Sequence, residues 1–446
     1  MLMSQVARWF DPEKALIRPV ASMRRQLPIS NMFLIKSELG VYTRQHPESP
    51  VYDASQGDGG ATLSGIRPDE LANALVLFLP NTQTTAYGSP NGSLRVRQAL
   101  LENFWKLDRI GLTPDNILVT DGGRDALQKW YQAIHMLTGK IGLTVVTSAA
   151  PWVSYAHGTY VNGFNLLCAP AQSKTNLRMT PDGITACLGL CGTADALIIT
   201  TPDNPTGAWY SPNEIKTLIE RARFHGIKYI LIDLMYQLVI DDDVPLYDWA
   251  EILGSFSAED RACVTLLDGL TKSVGASNVR MAHLACGDEK FAKTIQGIAS
   301  HTVLPNVLGE ACALEVYSSS DVRNHPWVKR ITKRTSASRN IFRREMTARG
   351  YTSIADQGYY AFVDVTKWLG RGLRPDQFFN GALANTTTHI ETVKDLGSYL
   401  ACEHGIAVVH GTPFLQPNFI RFSYAQDPAI TIAAINRFDE ALKSIP

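Results

Sequence analysis

From 268 to 280 the chain reads Asp-Gly-Leu-Thr-Lys-Ser-Val-Gly-Ala-Ser-Asn-Val-Arg, so Lys272 and Arg280 stand eight residues apart among small, mostly uncharged neighbours. The run Ala-Cys-Val-Thr-Leu-Leu just before reads as a buried strand. A solvated lysine usually keeps charged company, and this one has almost none. A lysine amine can attack a carbonyl or carry a proton, provided it is neutral, a form that burial and neighbouring cations favour. Arginine offers an anion a planar fork of donors.

Other candidates also follow apolar runs. In VTDGGRDALQKW, Gly122 and Gly123 open a helix whose backbone N–H groups can bind a phosphate, although a tight turn capped by Asp121 accounts for the same residues. Trp152, after LTVVTS, is either core packing or a flat face for a planar ligand. In ITTPDNPTGAWYS, turn formation explains the Pro and Gly, and Asn204 has an amide that can donate to a ligand oxygen. Asp233 sits near the end of YILIDL, where a buried carboxylate needs a cation: a structural ion pair or a cationic ring nitrogen. Tyr236, three residues on, can reach the same ligand.

The elements that must position these residues are short apolar runs alternating with amphipathic stretches, which predicts βαβ units and a mostly parallel sheet flanked by helices. Ligands of such sheets bind beyond the carboxyl ends of the strands, which is where the candidates fall. After residue 320 the pattern becomes α+β: a long basic-faced helix over 327–349, then YYAFVDV, IAVVHG, FIRFSYA and a last helix. The expected division is a large α/β domain over 55–320 and a smaller α+β domain from 1–54 and 321–446.

Composition excludes several classes. In 446 residues, 42 Lys and Arg balance 42 Asp and Glu, which leaves no electrostatic footprint for nucleic acid or an anionic membrane. Seven scattered cysteines fit reduced thiols better than a disulfide framework, and Cys187 with Cys191 lacks the second pair that zinc requires. No metal site, membrane span or secretory signal is expected, and the expected location is cytoplasmic.

In order and spacing, Gly-Gly, Trp152, Asn204-Pro-Thr-Gly, Asp233-x-x-Tyr236, Lys272 and Arg280 resemble the fold type I pyridoxal-phosphate enzymes of the aspartate aminotransferase superfamily, the class I and II aminotransferases. The resemblance runs over nearly the whole chain, from YDASQGDGG to the last helix. It implies pyridoxal 5'-phosphate as cofactor, held on Lys272 as a Schiff base. Arg280, Gly122, Gly123 and Arg124 take the phosphate. Asp233 pairs with the pyridine nitrogen, Asn204 and Tyr236 bond the 3'-oxygen, and Trp152 stacks on the ring. Lys272, Asp233 and Tyr236 are then the catalytic group. Gly57, Asn204 and Arg421 match the positions that hold a substrate α-carboxylate. Tyr87 matches one that reaches the phosphate of a neighbouring subunit, so a homodimer acting on small amino-acid substrates is implied.

The implied reaction is transfer of an amino group between an α-amino acid and a 2-oxo acid. The same fold and cofactor also serve elimination, replacement, cyclisation or oxidation. A cofactor-binding gene regulator is a third reading, against which stand the short, weakly basic first fifty residues. Four features depart from the family pattern: Leu234 where an acid is common, Gly269 where a phosphate-binding Ser is common, His283 in place of the usual Arg-x-Gly surroundings, and a long connection over 367–404. That connection is expected to be a surface insertion in preference to a lid.

Overall fold

The apolar runs Ile117–Thr120, Thr144–Thr147, Ala196–Thr200, Tyr229–Asp233 and Val264–Gly269 are buried along almost their whole length. Strands of this kind exist inside a sheet covered on both faces. The structure, a computed structural model, describes residues 16–17, 31–79, 86–171, 176–381 and 386–446. Among them, eight strands form one sheet in the order Leu16–Ile17, Asn165–Cys168, Thr144–Thr147, Ala196–Thr200, Tyr229–Asp233, Val264–Gly269, Ala282–Cys286, Ile117–Thr120. The four pairings from Asn165–Cys168 to Val264–Gly269 are parallel. Ala282–Cys286 runs against both its neighbours, so Ile117–Thr120 again points the way the central strands do. The chain therefore has the expected α/β fold, and the carboxyl ends of the five buried runs reach one edge.

Alternation along each strand divides the core. Leu197, Ile199, Ile230, Ile232 and Leu266 pack on one face, and Ile198, Leu231, Leu267 and Leu284 on the other. The covering helices show local causes. Pro212–Phe224 opens with Ser211 and Glu214 in a reciprocal cap and Pro212 at its first position. It buries Ile215, Leu218, Ile219 and Ala222, one stripe at helical spacing.

A second, antiparallel sheet runs Ser353–Ile354, Tyr360–Asp364, Phe419–Ser423, Val409–His410. The helices Pro326–Ala348 and Pro428–Ser444 pack together over it, around Phe342, Phe422 and Phe438. The described segments before Ala54 pack in different places. Leu16–Ile17 pairs with Asn165–Cys168 of the large one. Asn31–Gln45 packs on Val393–His404, and Tyr52–Asp53 pairs in parallel with Ile406–Ala407.

The connection over 367–404 ends in the helix Val393–His404, whose Leu396 and Leu400 are fully buried in the smaller core. Before it come two ribbons, Arg371–Gly372 with His389–Ile390 and Phe379–Asn380 with Thr386–Thr387. The Trp368 indole, just ahead of them, donates to the Leu442 carbonyl at 3.0 Å. The segment thus covers the core of the smaller sheet. Among the described residues, no helix is long and apolar enough to cross a membrane.

Candidate active site

At the carboxyl edge of the large sheet lies a cavity of about 450 Å³, lined among others by Gly123, Arg124, Trp152, Asn204, Asp233, Tyr236, Lys272 and Arg280. Eight of the residues singled out in the sequence thus come together around one space, although they span some 160 positions.

One wall is acidic. Asp233 ends its strand in register between Thr200 and Leu267. Its carboxylate accepts from the Tyr155 hydroxyl at 2.7 Å and from the Met235 N–H at 3.2 Å. With its single proton given to Asp233, the Tyr155 phenol accepts from the Thr200 hydroxyl at 2.7 Å. Burial pushes the Asp233 carboxyl above its ordinary value, and the bonds from Tyr155 and Met235 offset this in part. No cation among the described residues stands within ion-pair distance of it, so a buried acid faces the cavity without a counter-charge.

Another part of the lining is basic. The helix Gly123–Thr138 starts at the cavity, and its first N–H groups have no partner within the helix. Arg124 and Arg280 converge there. Burial first, and then the Arg280 charge, hold the Arg124 guanidinium below its ordinary value. Arg280 donates to the Ser277 carbonyl at 2.9 Å. Its own backbone is left-handed, with φ +55°, a conformation that costs a non-glycine residue roughly 1–2 kcal/mol. Gly122 has φ +91°, and a Cβ there would overlap the Arg280 guanidinium. The Gly122 position therefore demands glycine for two reasons: its backbone angle and the arginine packed on it. Two cations at a helix start, with no carboxylate among the described residues in ion-pair distance of either, favour an anion there.

Lys272 also lines the cavity, from the turn Leu270–Ser273 that follows its strand. Its ammonium donates to the Gly57 carbonyl at 2.6 Å, and the Tyr359 hydroxyl donates to the Lys272 carbonyl. Trp152, half-buried, begins the helix Val153–Val161, with its ring 5.5 Å from that of Tyr155 and the Arg124 guanidinium 5.9 Å above it.

Arg421 and Gly57 lie beside the lining. Arg421 is buried in the smaller sheet. It donates to the Asn204 amide oxygen at 2.9 Å and to the Ser55 carbonyl at 2.7 Å. The Asn204 amide in turn faces the Tyr236 hydroxyl at 3.5 Å. The Arg421 guanidinium stacks 4.2 Å above the Tyr360 ring. A Cβ on Gly57 would overlap the Tyr360 hydroxyl. Burial pushes the Tyr360 phenol up, but the Lys272 and Arg421 charges outweigh it and hold the phenol below its ordinary value.

Residues 58–438 match the family model for aminotransferase class I and II. The chain belongs to this family. It is 25% identical over 361 residues to an aspartate aminotransferase of a Bacillus species, a match spanning 80% of this chain and 84% of that one. To the aspartate/prephenate aminotransferase of Thermus thermophilus it is 24% identical over 360 residues, 80% of this chain and 83% of that one. The solved aspartate aminotransferase of Rhizobium meliloti superposes with a TM-score of 0.79 at 20% identity, over 96% of this chain and all of that one. The protein is accordingly an enzyme, an aminotransferase, and its family is one that works with pyridoxal phosphate.

Some sequence expectations differ from what is found in this aminotransferase, and others agree with it. Asp121 does not cap the helix. Gly122 occupies the cap position without a side-chain bond, and Asp121 accepts from the Asn306 amide at 2.7 Å. Gly269 has no room for a side chain, because a Cβ would meet the Met281 carbonyl and Ala282; Thr271 lines the cavity instead. His283 faces away from the cavity. It accepts from the Trp105 indole at 3.2 Å and lies 3.1 Å from the Tyr317 hydroxyl, and burial pushes its imidazole down to about 3. Leu234 is a core side chain. Among the described residues of 367–404, none lines the cavity. Tyr87 is almost fully exposed, away from this chain's own cavity.

Sequence reasoning missed Tyr155, Thr200, Ser55, Tyr359 and Tyr360. Tyr155 alone carried a signal, since it lies one helical turn after Trp152.

Proposed function

We propose that this aminotransferase moves an amino group between an α-amino acid and a 2-oxo acid with pyridoxal phosphate bound in the 450 Å³ cavity. The observation that carries the reading is the set of charges gathered around one cavity: a buried acid, a lysine, and two converging arginines at a helix start. A ring with a protonatable nitrogen at one end, an aldehyde in the middle and a phosphate at the other complements all three. Asp233 would hold the proton on the ring nitrogen, Arg280, Arg124 and the Gly122–Gly123 turn would hold the phosphate, and Trp152 would face the ring. Asn204 and Tyr236 would orient it through its 3'-oxygen.

When bound, the cofactor supplies an electron sink that acidifies the substrate's Cα–H. Lys272 would form the covalent link to the cofactor and, once displaced by the substrate amine, move the Cα proton as acid and base. Arg421, with Asn204 and Gly57, would take the α-carboxylate; its Nη groups already bond neutral oxygens that a carboxylate can replace. The similarity to aspartate aminotransferases makes aspartate the first amino donor to test. We further propose a large domain over 55–320, to whose sheet Leu16–Ile17 adds an edge strand, a smaller one from the rest of 1–54 and 321–446, a homodimer in which Tyr87 reaches the neighbouring site, and a cytoplasmic location.

The test is borohydride reduction of the protein incubated with pyridoxal phosphate, followed by peptide mapping and a panel of amino acids with product identification. The label is expected on the peptide carrying Lys272. Lys272→Ala should lose the label and at least about 10³-fold in transamination. A protein that takes up no pyridoxal phosphate sinks the reading.

A further inference from the structure

Asn306 is the last residue before the helix Val307–Tyr317, and its side-chain oxygen caps that helix by accepting from the Gly309 N–H at 2.7 Å. Capping needs the oxygen only. The amide nitrogen of the same side chain points the other way, and its two protons are shared among three acceptors: the Asp121 carboxylate at 2.7 Å, the Arg280 carbonyl at 2.8 Å and, more distant, the Val279 carbonyl at 3.2 Å. Asp121 immediately precedes the Gly122–Gly123 turn. Arg280 carries one of the two guanidinium groups of the basic lining. One amide therefore ties together the two chain segments, some 160 residues apart, that form the anion site.

We propose that Asn306 is a positioning residue for the phosphate end of the site, fixing the Gly-Gly turn and Arg280 relative to each other. This rests on the functional reading above. Two features make the tie necessary. The left-handed backbone of Arg280 is not one its residue type prefers, and the Asn306 amide holds the carbonyl that this conformation presents. The Arg280 guanidinium fits against Gly122 with no room for one added carbon, so a small shift of either segment misplaces the fork. Asn306 does not itself line the cavity and acts through Arg280, which does, and Asp121.

Asn306→Asp separates the two jobs of the side chain. Aspartate caps a helix as well as asparagine does. Its second oxygen, however, would face the Asp121 carboxylate and two carbonyls in place of a donor. The probes are pyridoxal 5'-phosphate and pyridoxal, which differ only by the phosphate, each titrated by visible absorbance into the cofactor-stripped protein and its variant. The expected result is about tenfold weaker binding of pyridoxal phosphate by N306D, the scale of one lost charge-assisted hydrogen bond, with pyridoxal binding unchanged. Equal affinity of parent and N306D for pyridoxal phosphate, or equal loss of both probes, overturns the inference. A parent protein with no preference for the phosphorylated probe overturns the functional reading instead, and this is read before any variant is made. If N306D does not fold, Asn306→Ser carries the same comparison, since it keeps a capping oxygen without the amide.

Discussion

Asp233 and Lys272 show how little a residue type says without its surroundings. A carboxylate at a strand end is ordinary; one that is buried, bonded only by a phenol and an N–H, and open to a cavity on its remaining side is a charge in need of a partner. Asp233→Asn retains the shape and the bond to Tyr155 but cannot stabilise a cation. Loss of about 10³-fold or more in kcat for transamination is expected, with pyridoxal phosphate still bound. Stopped-flow half-reactions that are as fast as in the parent protein would refute the role. These residues were legible in the sequence because each is a charged or amide side chain directly after an apolar run. Tyr155 and Tyr360 were not. Among 16 tyrosines, the place of Tyr155 one helical turn after Trp152 is a weak mark and Tyr360 has none, and their roles arise from contacts across 78 and more than 300 positions.

At the scale of the element, the turn bearing Asn204 is held from within by Asp203. Its buried carboxyl accepts from the Thr206 hydroxyl at 2.6 Å and from the Thr206 N–H at 3.3 Å, and burial pushes it up to about 7. The native state therefore keeps a proton that the unfolded chain releases near pH 4, so stability falls as pH rises from about 4 to about 7, by roughly 4 kcal/mol at most. Asp203→Asn keeps the turn's acceptor and removes that slope. Urea unfolding across this range should show a flatter profile for the variant, and parallel profiles would contradict the assignment. The sequence marked this turn by its Pro and Gly but gave no sign that Asp203 is buried. Strand runs were readable because buried parallel strands are continuously apolar. The segment over 367–404 was not, since its helix buries Leu396 and Leu400 against elements distant in the chain.

For the whole molecule, the site draws on both sheets and, in our reading, on a second copy. Tyr87 is 96% exposed, so its ring is open to contact from a second copy. Tyr87→Phe is expected to weaken pyridoxal phosphate binding several-fold without affecting pyridoxal. Sedimentation should show that the parent and the variant share one dimeric state. A parent protein that is monomeric and fully active at catalytic concentrations would exclude the shared site.

The extended stretch from Tyr52 to Gly57 joins the two sheets through successive contacts. Tyr52–Asp53 pairs with Ile406–Ala407, the Ala54 carbonyl accepts from the Ser423 N–H, the Ser55 carbonyl from Arg421, and the Gly57 carbonyl from Lys272. The last two acceptors are two peptide units apart, and peptide units are stiff. Only the φ and ψ of Gln56 and Gly57 lie between them, and Gly57 is packed against the Tyr360 hydroxyl. A group that takes Arg421 away from Ser55 is therefore expected to loosen the grip on Lys272 without touching the lysine itself.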